Sequence, residues 1–260
     1  MARRTPVDTA RIALACLDLT SLNDGDTETD VRALCERASG PYGMVAAVCV
    51  WPRFAHLARQ RSPAAVKVAA VANFPAGSTD VERTRRDVGT IVQAGAQEVD
   101  VVLPYRALLA GDEAACAAVL RVTRHACEGL TLKVILETGE LRSATSIERA
   151  ARLALAEGAD FLKTSTGKTP VSATLEAAAV MLRVITSDAS AKARVGFKAA
   201  GGIRKVADAA PYIDAVTQAL GAAAATPARF RIGASSLLAD IEAVLAGTSP
   251  APAQPSNDSY

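Results

Sequence analysis

Eight short apolar runs, repeating at roughly thirty-residue intervals with Ala-rich helical segments between them, predict an α/β fold: a single (β/α)8 barrel of the TIM type. Several of the runs are almost continuously apolar, the pattern of parallel strands covered by helices. No G-x-G-x-x-G follows the first run, which argues against an open doubly wound sheet.

The runs are Leu17–Leu19, Val45–Val50, Val66–Val71, Glu98–Leu103, Leu132–Leu136, Asp160–Ser165, Val195–Ala199 and Phe230–Ala234. Helical segments between them include Val81–Ala94, Glu113–Cys127, Ser146–Ala156 and Leu175–Ile185, where Ala, Leu, Arg and Glu favour the helix. Gly95-Ala96 and Gly158-Ala159 precede the fourth and sixth runs, where a glycine can end a helix and turn the chain back. Residues 1–246 are therefore assigned to the barrel. Residues 247–260, rich in Pro, Ser and Ala and ending at Tyr260, are assigned to a flexible C-terminal tail.

The 260 residues are 50 % hydrophobic and 22 % charged, enough for a closed core without disulfides or metals. A net charge of +2, with no basic stripe, gives no footprint for nucleic acid. There are five cysteines with no C-x-x-C pair, and Cys16 and Cys49, in apolar runs, read as buried, reduced thiols. Asp8, Arg11 and Asp18 interrupt any signal-peptide core, and no run has the length to cross a membrane. The expectation is a cytoplasmic protein with no membrane partner. His56 and His125 are the only histidines, and no cluster has metal-ligand spacing, so neither a metal nor another cofactor is expected.

In a barrel of this kind the chemistry sits at the C-terminal ends of the strands. Asp100, Lys163 and Lys198 are ionisable groups inside otherwise apolar runs at such places. Lys163 and Lys198 belong to neighbouring strands and can face each other in the interior. Each ammonium disfavours the other's charge, and desolvation acts in the same direction. One lysine can then be a neutral amine near pH 7, able to attack an aldehyde carbon. Asp100 can keep the other lysine charged and pass protons through water. Snorkelling or structural pairing is the alternative for any one of them.

A second group of residues suits a phosphate. Gly201-Gly202 follows the seventh run, Gly233 to Ser236 ends the eighth and opens a helix, and Gly167-Lys168 follows the sixth. Barrels often bind phosphate in the loops after strands seven and eight, on backbone N–H groups at a helix N-terminus. The plain alternative is tight turns with Ser235 as a cap. Thr166 to Thr169 looks like the end of a nucleotide-binding P-loop, but that pattern needs glycine at position 162, which is Leu162 inside a strand.

At these residues the sequence resembles the deoxyribose-phosphate aldolases, a class I, Schiff-base-forming family of the DeoC type. The resemblance runs from Leu17-Asp-Leu-Thr-Ser-Leu-Asn through Glu98-Val-Asp-Val-Val-Leu-Pro-Tyr-Arg, Leu132-Lys-Val-Ile-Leu-Glu-Thr-Gly-Glu-Leu, Phe161-Leu-Lys-Thr-Ser-Thr-Gly-Lys and Val195-Gly-Phe-Lys to Arg231-Ile-Gly-Ala-Ser-Ser-Leu-Leu. It implies reversible cleavage of 2-deoxy-D-ribose 5-phosphate to acetaldehyde and D-glyceraldehyde 3-phosphate, in deoxyribose phosphate catabolism. Lys163 would form the Schiff base, Lys198 would perturb its pKa, and Asp100 would serve the proton relay. Gly167, Lys168, Gly201, Gly202, Ser235 and Ser236 would hold the phosphate, and Tyr260 would take part in proton transfer. The resemblance further suggests a homodimer. One departure is Ala199, where the family commonly has proline. The rivals are another Schiff-base phosphosugar aldolase of transaldolase type, and a non-catalytic barrel that binds a phosphorylated metabolite.

Overall fold

The structure, a computed structural model, describes residues 4–248. The assigned tail lies outside the described residues except for Gly247 and Thr248, and Tyr260 lies wholly outside them.

Eight parallel strands close into a barrel: β1 (Leu17–Thr20), β2 (Ala47–Val50), β3 (Lys67–Ala72), β4 (Glu98–Val102), β5 (Thr131–Ile135), β6 (Phe161–Lys163), β7 (Gly196–Ala200) and β8 (Phe230–Ala234). Closure comes from β1 pairing with both β2 and β8, with Asp18 opposite Ala47 on one side and Gly233 on the other. Every expected run holds a strand. The expected helices are also present, as Val81–Gln93, Glu113–Ala126, Ala144–Ala156 and Leu175–Ser187. Each starts on a side-chain cap, from Asp80, Asp112, Ser143 and Thr174 respectively, which satisfies a backbone N–H that the first turn leaves unpaired. Gly95 and Gly158 have φ of 75° and 85°, the left-handed conformation that a helix end uses to reverse the chain.

The sixth strand falls furthest short of its apolar run. The sixth was expected over Asp160–Ser165, but its ladder stops at Lys163. Beyond it one backbone bond, from Thr164 N–H to the Lys198 carbonyl at 3.0 Å, and then hydroxyl groups hold the chain to β7. Thr164 Oγ1 accepts from Ala200 N–H at 3.0 Å, and Ser165 Oγ donates to the Ala200 carbonyl at 2.6 Å. The run Lys-Thr-Ser-Thr thus exchanges regular pairing for side-chain bonds at the point where the site begins.

Alternation divides each strand between two environments. On β7 and β8, Phe197 and Phe230 stack on the outer side with ring centroids 6.4 Å apart. The alternate residues Lys198 and Arg231, register partners, point into the barrel. There the packing is ionic rather than hydrocarbon, and this sets up the site.

Candidate active site

Seven ionisable side chains from six strands fill the middle of the barrel. Asp18, Glu98, Asp100, Lys133, Lys163, Lys198 and Arg231 are all buried. Their pairing is dense. Arg231 spans Asp18 at 2.6 Å and Glu98 at 2.7 Å, and Lys133 bridges Glu98 at 2.5 Å and Asp100 at 2.7 Å. Above them Lys198 contacts Asp18 at 2.5 Å and Asp100 at 2.8 Å, while Lys163 reaches Asp100 at 3.0 Å.

Glycine on β8 leaves Lys198 room to cross toward Asp18 on β1: a Cβ on Gly233 would lie 3.1 Å from Lys198 Cε and 3.1 Å from Ala200 Cβ, closer than ordinary packing. Ala199, the departure from the family pattern, is a fully buried residue on β7 and takes no polar group from the interior.

The cluster sets four cations against three carboxylates, Lys133, Lys163, Lys198 and Arg231 against Asp18, Glu98 and Asp100. Fully ionised, it carries one surplus positive charge where water cannot screen it. Lys163 is the member best placed to give up that proton. Its ion-pair contact among the described residues is Asp100 Oδ2, an oxygen that Lys198 already holds. Burial and then the neighbouring Lys198 ammonium lower the Lys163 pKa from the usual lysine value, and Asp100 only partly offsets them. For Lys198, burial also opposes the charge, but Asp100 and Asp18 together outweigh it and hold the ammonium well above its ordinary pKa. Asp100 is held well below the usual carboxylate range: burial raises it, and Lys133, Lys198 and Lys163 more than reverse this. Two register-paired lysines on adjacent strands are therefore driven in opposite directions. Such an arrangement can supply a neutral nucleophilic amine beside a fixed cation.

Cys49 lies in the same field and is fully buried. Burial and Asp100 raise its pKa, which keeps it a thiol rather than a thiolate.

The residues expected at a phosphate fall into two pockets at the C-terminal ends of the strands. Gly167, Lys168, Gly201 and Gly202 line one of about 430 Å³ together with Thr169 and Arg204. Gly201 has φ of 83°, and a Cβ there would approach Ser172 Oγ to 2.5 Å, so the pocket wall requires glycine. Ser235 and Ser236 line the other, of about 350 Å³, with Thr20, Ser21 and Asn23. Ser236, not Ser235, is the N-cap of the helix Leu237–Ala246, and its side chain makes no capping bond. The N–H groups of a helix start favour an anion, so this one suits a phosphate.

The structure thus brings together Lys163, Lys198 and Asp100, and groups the small residues by pocket. Asp18, Glu98, Lys133, Arg231 and Arg204 are not singled out by the sequence reading. Four of them carry the same signal as Lys163, a charge flanked by strand residues: Asp18 between leucines, Lys133 between Leu132 and Val134, Arg231 between Phe230 and Ile232, and Glu98 two residues from Asp100. Among the described residues, no group of His, Cys, Asp and Glu is arranged to hold a metal ion, and no helix is long and apolar enough to cross a membrane.

Comparison with known proteins bears on the same chemistry. A deoxyribose-phosphate aldolase of Agrobacterium fabrum is 44 % identical over 256 residues, which cover 97 % of this chain and 98 % of that one. Among solved structures, the apo form of a provisionally assigned deoxyribose-phosphate aldolase from Toxoplasma gondii ME49 superposes with a TM-score of 0.85 at 26 % identity, covering 93 % of this chain and 98 % of that one. A tetrameric deoxyribose phosphate aldolase from Aeropyrum pernix gives a TM-score of 0.70 at 27 % identity, over 92 % of each chain. The sequence profile of the DeoC/LacD family aldolases matches residues 12–243, and with the relative above this establishes that the chain belongs to that family.

Proposed function

We propose that this chain is a class I aldolase that reversibly cleaves 2-deoxy-D-ribose 5-phosphate to acetaldehyde and D-glyceraldehyde 3-phosphate, in deoxyribose phosphate catabolism. The observation that carries the reading is the pair of opposed lysines sharing Asp100 Oδ2, with the Lys163 pKa lowered and that of Lys198 raised.

In this reading Lys163 Nζ adds to C1 of the open-chain sugar, and loss of water gives an iminium. The C3 hydroxyl gives its proton to a water placed between Lys198 and Asp100. The C2–C3 bond then breaks, and its electron pair becomes the enamine as the C3 oxygen forms the aldehyde of glyceraldehyde 3-phosphate. Asp100, made a weak base by its three lysines, acts by orienting that water and keeping Lys198 charged rather than by taking the proton itself. Protonation of the enamine at C2, assigned to Tyr260, and hydrolysis release acetaldehyde. Gly167, Lys168, Gly201, Gly202, Ser235 and Ser236 hold the phosphate and contribute orientation. Identity of 44 % to a deoxyribose-phosphate aldolase over nearly the whole chain supports this choice of substrate.

The cellular setting proposed is the cytoplasm, in keeping with five buried cysteines of which none is in a disulfide. The assembly proposed is a homodimer, which light scattering of the purified chain distinguishes from a tetramer like that of the Aeropyrum protein.

Borohydride reduction with acetaldehyde, followed by peptide mass spectrometry, tests the chemistry. An irreversible two-carbon adduct is expected on Lys163 and is absent from Lys163→Leu. An active enzyme with Lys163 unmodified would overturn the assignment.

A further inference from the structure

Glu137 is a buried carboxylate for which the chemistry above has no use. It follows β5 with φ of 58° and ψ of 59°, a left-handed conformation that a non-glycine residue holds only when its surroundings impose it. Those surroundings are the exit of β6. The Leu136 N–H donates to the Lys163 carbonyl and the Thr138 N–H to the Thr164 carbonyl, both at 3.0 Å. Between these two bonds the side chain, wholly inaccessible to solvent, turns toward the next part of the same loop.

There it meets three donors. Thr166 N–H donates to Oε1 at 3.2 Å and Thr166 Oγ1 to Oε2 at 2.5 Å, while the Thr169 hydroxyl, 3.3 Å from Oε1, divides its single hydrogen between Glu137 and the Val171 carbonyl at 3.1 Å. The hydroxyl hydrogen of Thr166 is committed to Glu137, so its oxygen is left to accept from Lys168 N–H at 3.0 Å. The carboxylate thus holds Thr166 and Thr169 while the adjoining Thr138 N–H holds Thr164, so the segment 164–169 is fixed at several points. At one end of that segment stands Lys163. At the other, Gly167, Lys168 and Thr169 line the 430 Å³ pocket.

We propose that Glu137 is a positioning residue that ties the anion pocket to Lys163, setting how strongly the substrate's phosphate group is used. The inference rests on the phosphosugar reading above. It assigns the strained Glu137 backbone and the three donors of Thr166 and Thr169 to a single task, which packing alone does not require.

Glu137→Gln tests it, because the amide keeps the shape but sets an N–H₂ against hydroxyl and amide donors. The measurements are kcat and KM for 2-deoxyribose 5-phosphate and for unphosphorylated 2-deoxyribose, with acetaldehyde trapping of Lys163 by borohydride as a third. KM for the phosphorylated sugar is expected to rise about tenfold or more, since a charge-assisted bond set is lost. For the unphosphorylated sugar kcat/KM is expected to stay within about threefold, and the trapping rate within about twofold. An unchanged KM for the phosphorylated sugar, or equal losses on both sugars, would overturn the proposal. Thr166→Val removes the shortest bond while keeping Glu137 and is expected to give the same split, so the test does not depend on the folding of Glu137→Gln. Wild-type protein that acetaldehyde fails to trap at Lys163 would instead sink the aldolase reading itself, and wild-type protein that treats the two sugars alike would sink the phosphosugar substrate.

Discussion

Lys163 and Lys198 are register partners on adjacent strands, and their amines meet on one oxygen, Asp100 Oδ2, at 3.0 and 2.8 Å. The charge on Lys198 is thereby part of what lowers the Lys163 pKa. Lys198→Leu removes that repulsion, so Lys163 holds its proton to higher pH and less of it is the free amine at pH 7. Since the proposed mechanism also places the relay water on Lys198, kcat/KM is expected to drop on the order of 100-fold at pH 7. The rise of activity with pH should move to higher pH, with partial recovery near pH 9–10. A pH profile of borohydride trapping checks the amine separately from the relay; a profile that superimposes on wild type would remove the role given to Lys198.

A lysine with a depressed pKa costs stability. The unfolded chain binds the Lys163 proton more tightly than the folded chain does. The cost is therefore present in full below the folded pKa and vanishes as pH rises past the unfolded value near 10.5. Lys163→Met removes a desolvated cation and fills its space with an apolar chain. We expect this variant to be inactive yet more stable at pH 7 by about 1 kcal/mol, a rise in Tm of roughly 2–4 °C. Calorimetry at pH 7 checks it, and a clearly lowered Tm would contradict it.

Lys133 should behave in the opposite way. It bridges Glu98 and Asp100, whose attraction raises its pKa against the opposing effect of burial. Lys133→Met leaves two buried carboxylates short of a cation and is expected to cost about 3–5 kcal/mol. Urea unfolding should show this as a fall in midpoint without a change in slope.

Acid should act through the carboxylates of the same cluster. Burial raises the Asp18 pKa, but Lys198, Arg231 and Lys133 more than reverse this, and Asp100 is lowered in the same manner. A carboxylate with a depressed folded pKa stabilises the fold above its unfolded value near 3.8, and this contribution is lost as pH falls through the folded value. Urea midpoints are expected to be flat from about pH 5 to 8 and to decline below about pH 4. A decline that begins near pH 6 would point to another group.

Gly201→Ala places a methyl group 2.5 Å from Ser172 Oγ at a φ of 83°. The wall of the pocket proposed for the phosphate must then move. KM for 2-deoxyribose 5-phosphate should rise by about tenfold or more, with little change in acetaldehyde trapping. Equal losses in both would show that the pocket does not serve the phosphate.

The periodicity of the apolar runs makes the barrel legible, because each strand and helix is a local pattern that composition expresses directly. Register-level chemistry is less so. Lys163, Lys198 and Asp100 stand out as charges in apolar strands, yet Asp18 and Arg231 carry the same mark without drawing notice. Their significance depends on β1 meeting β8, a pairing of residues 213 positions apart. Glu137 is invisible for another reason. It follows rather than occupies its strand, and its partners Thr166 and Thr169 read locally as loop hydroxyls, so only the folded chain shows three donors converging on one acid. The sixth strand reads too long because Thr164 and Ser165 suit a strand by residue type but bond to β7 through side chains.

The ionic filling of the barrel also governs how this interior can vary. In a hydrocarbon core one methyl-bearing residue can replace another with modest loss, and changes can accumulate singly. Here each of the three carboxylates serves at least two cations, so replacing any one carboxylate strands its counterions, and apart from the surplus cation Lys163 only concerted exchanges keep the charges balanced. New specificity is therefore easier to build in the loops around the rim than in the layer beneath them, where each residue constrains its neighbours.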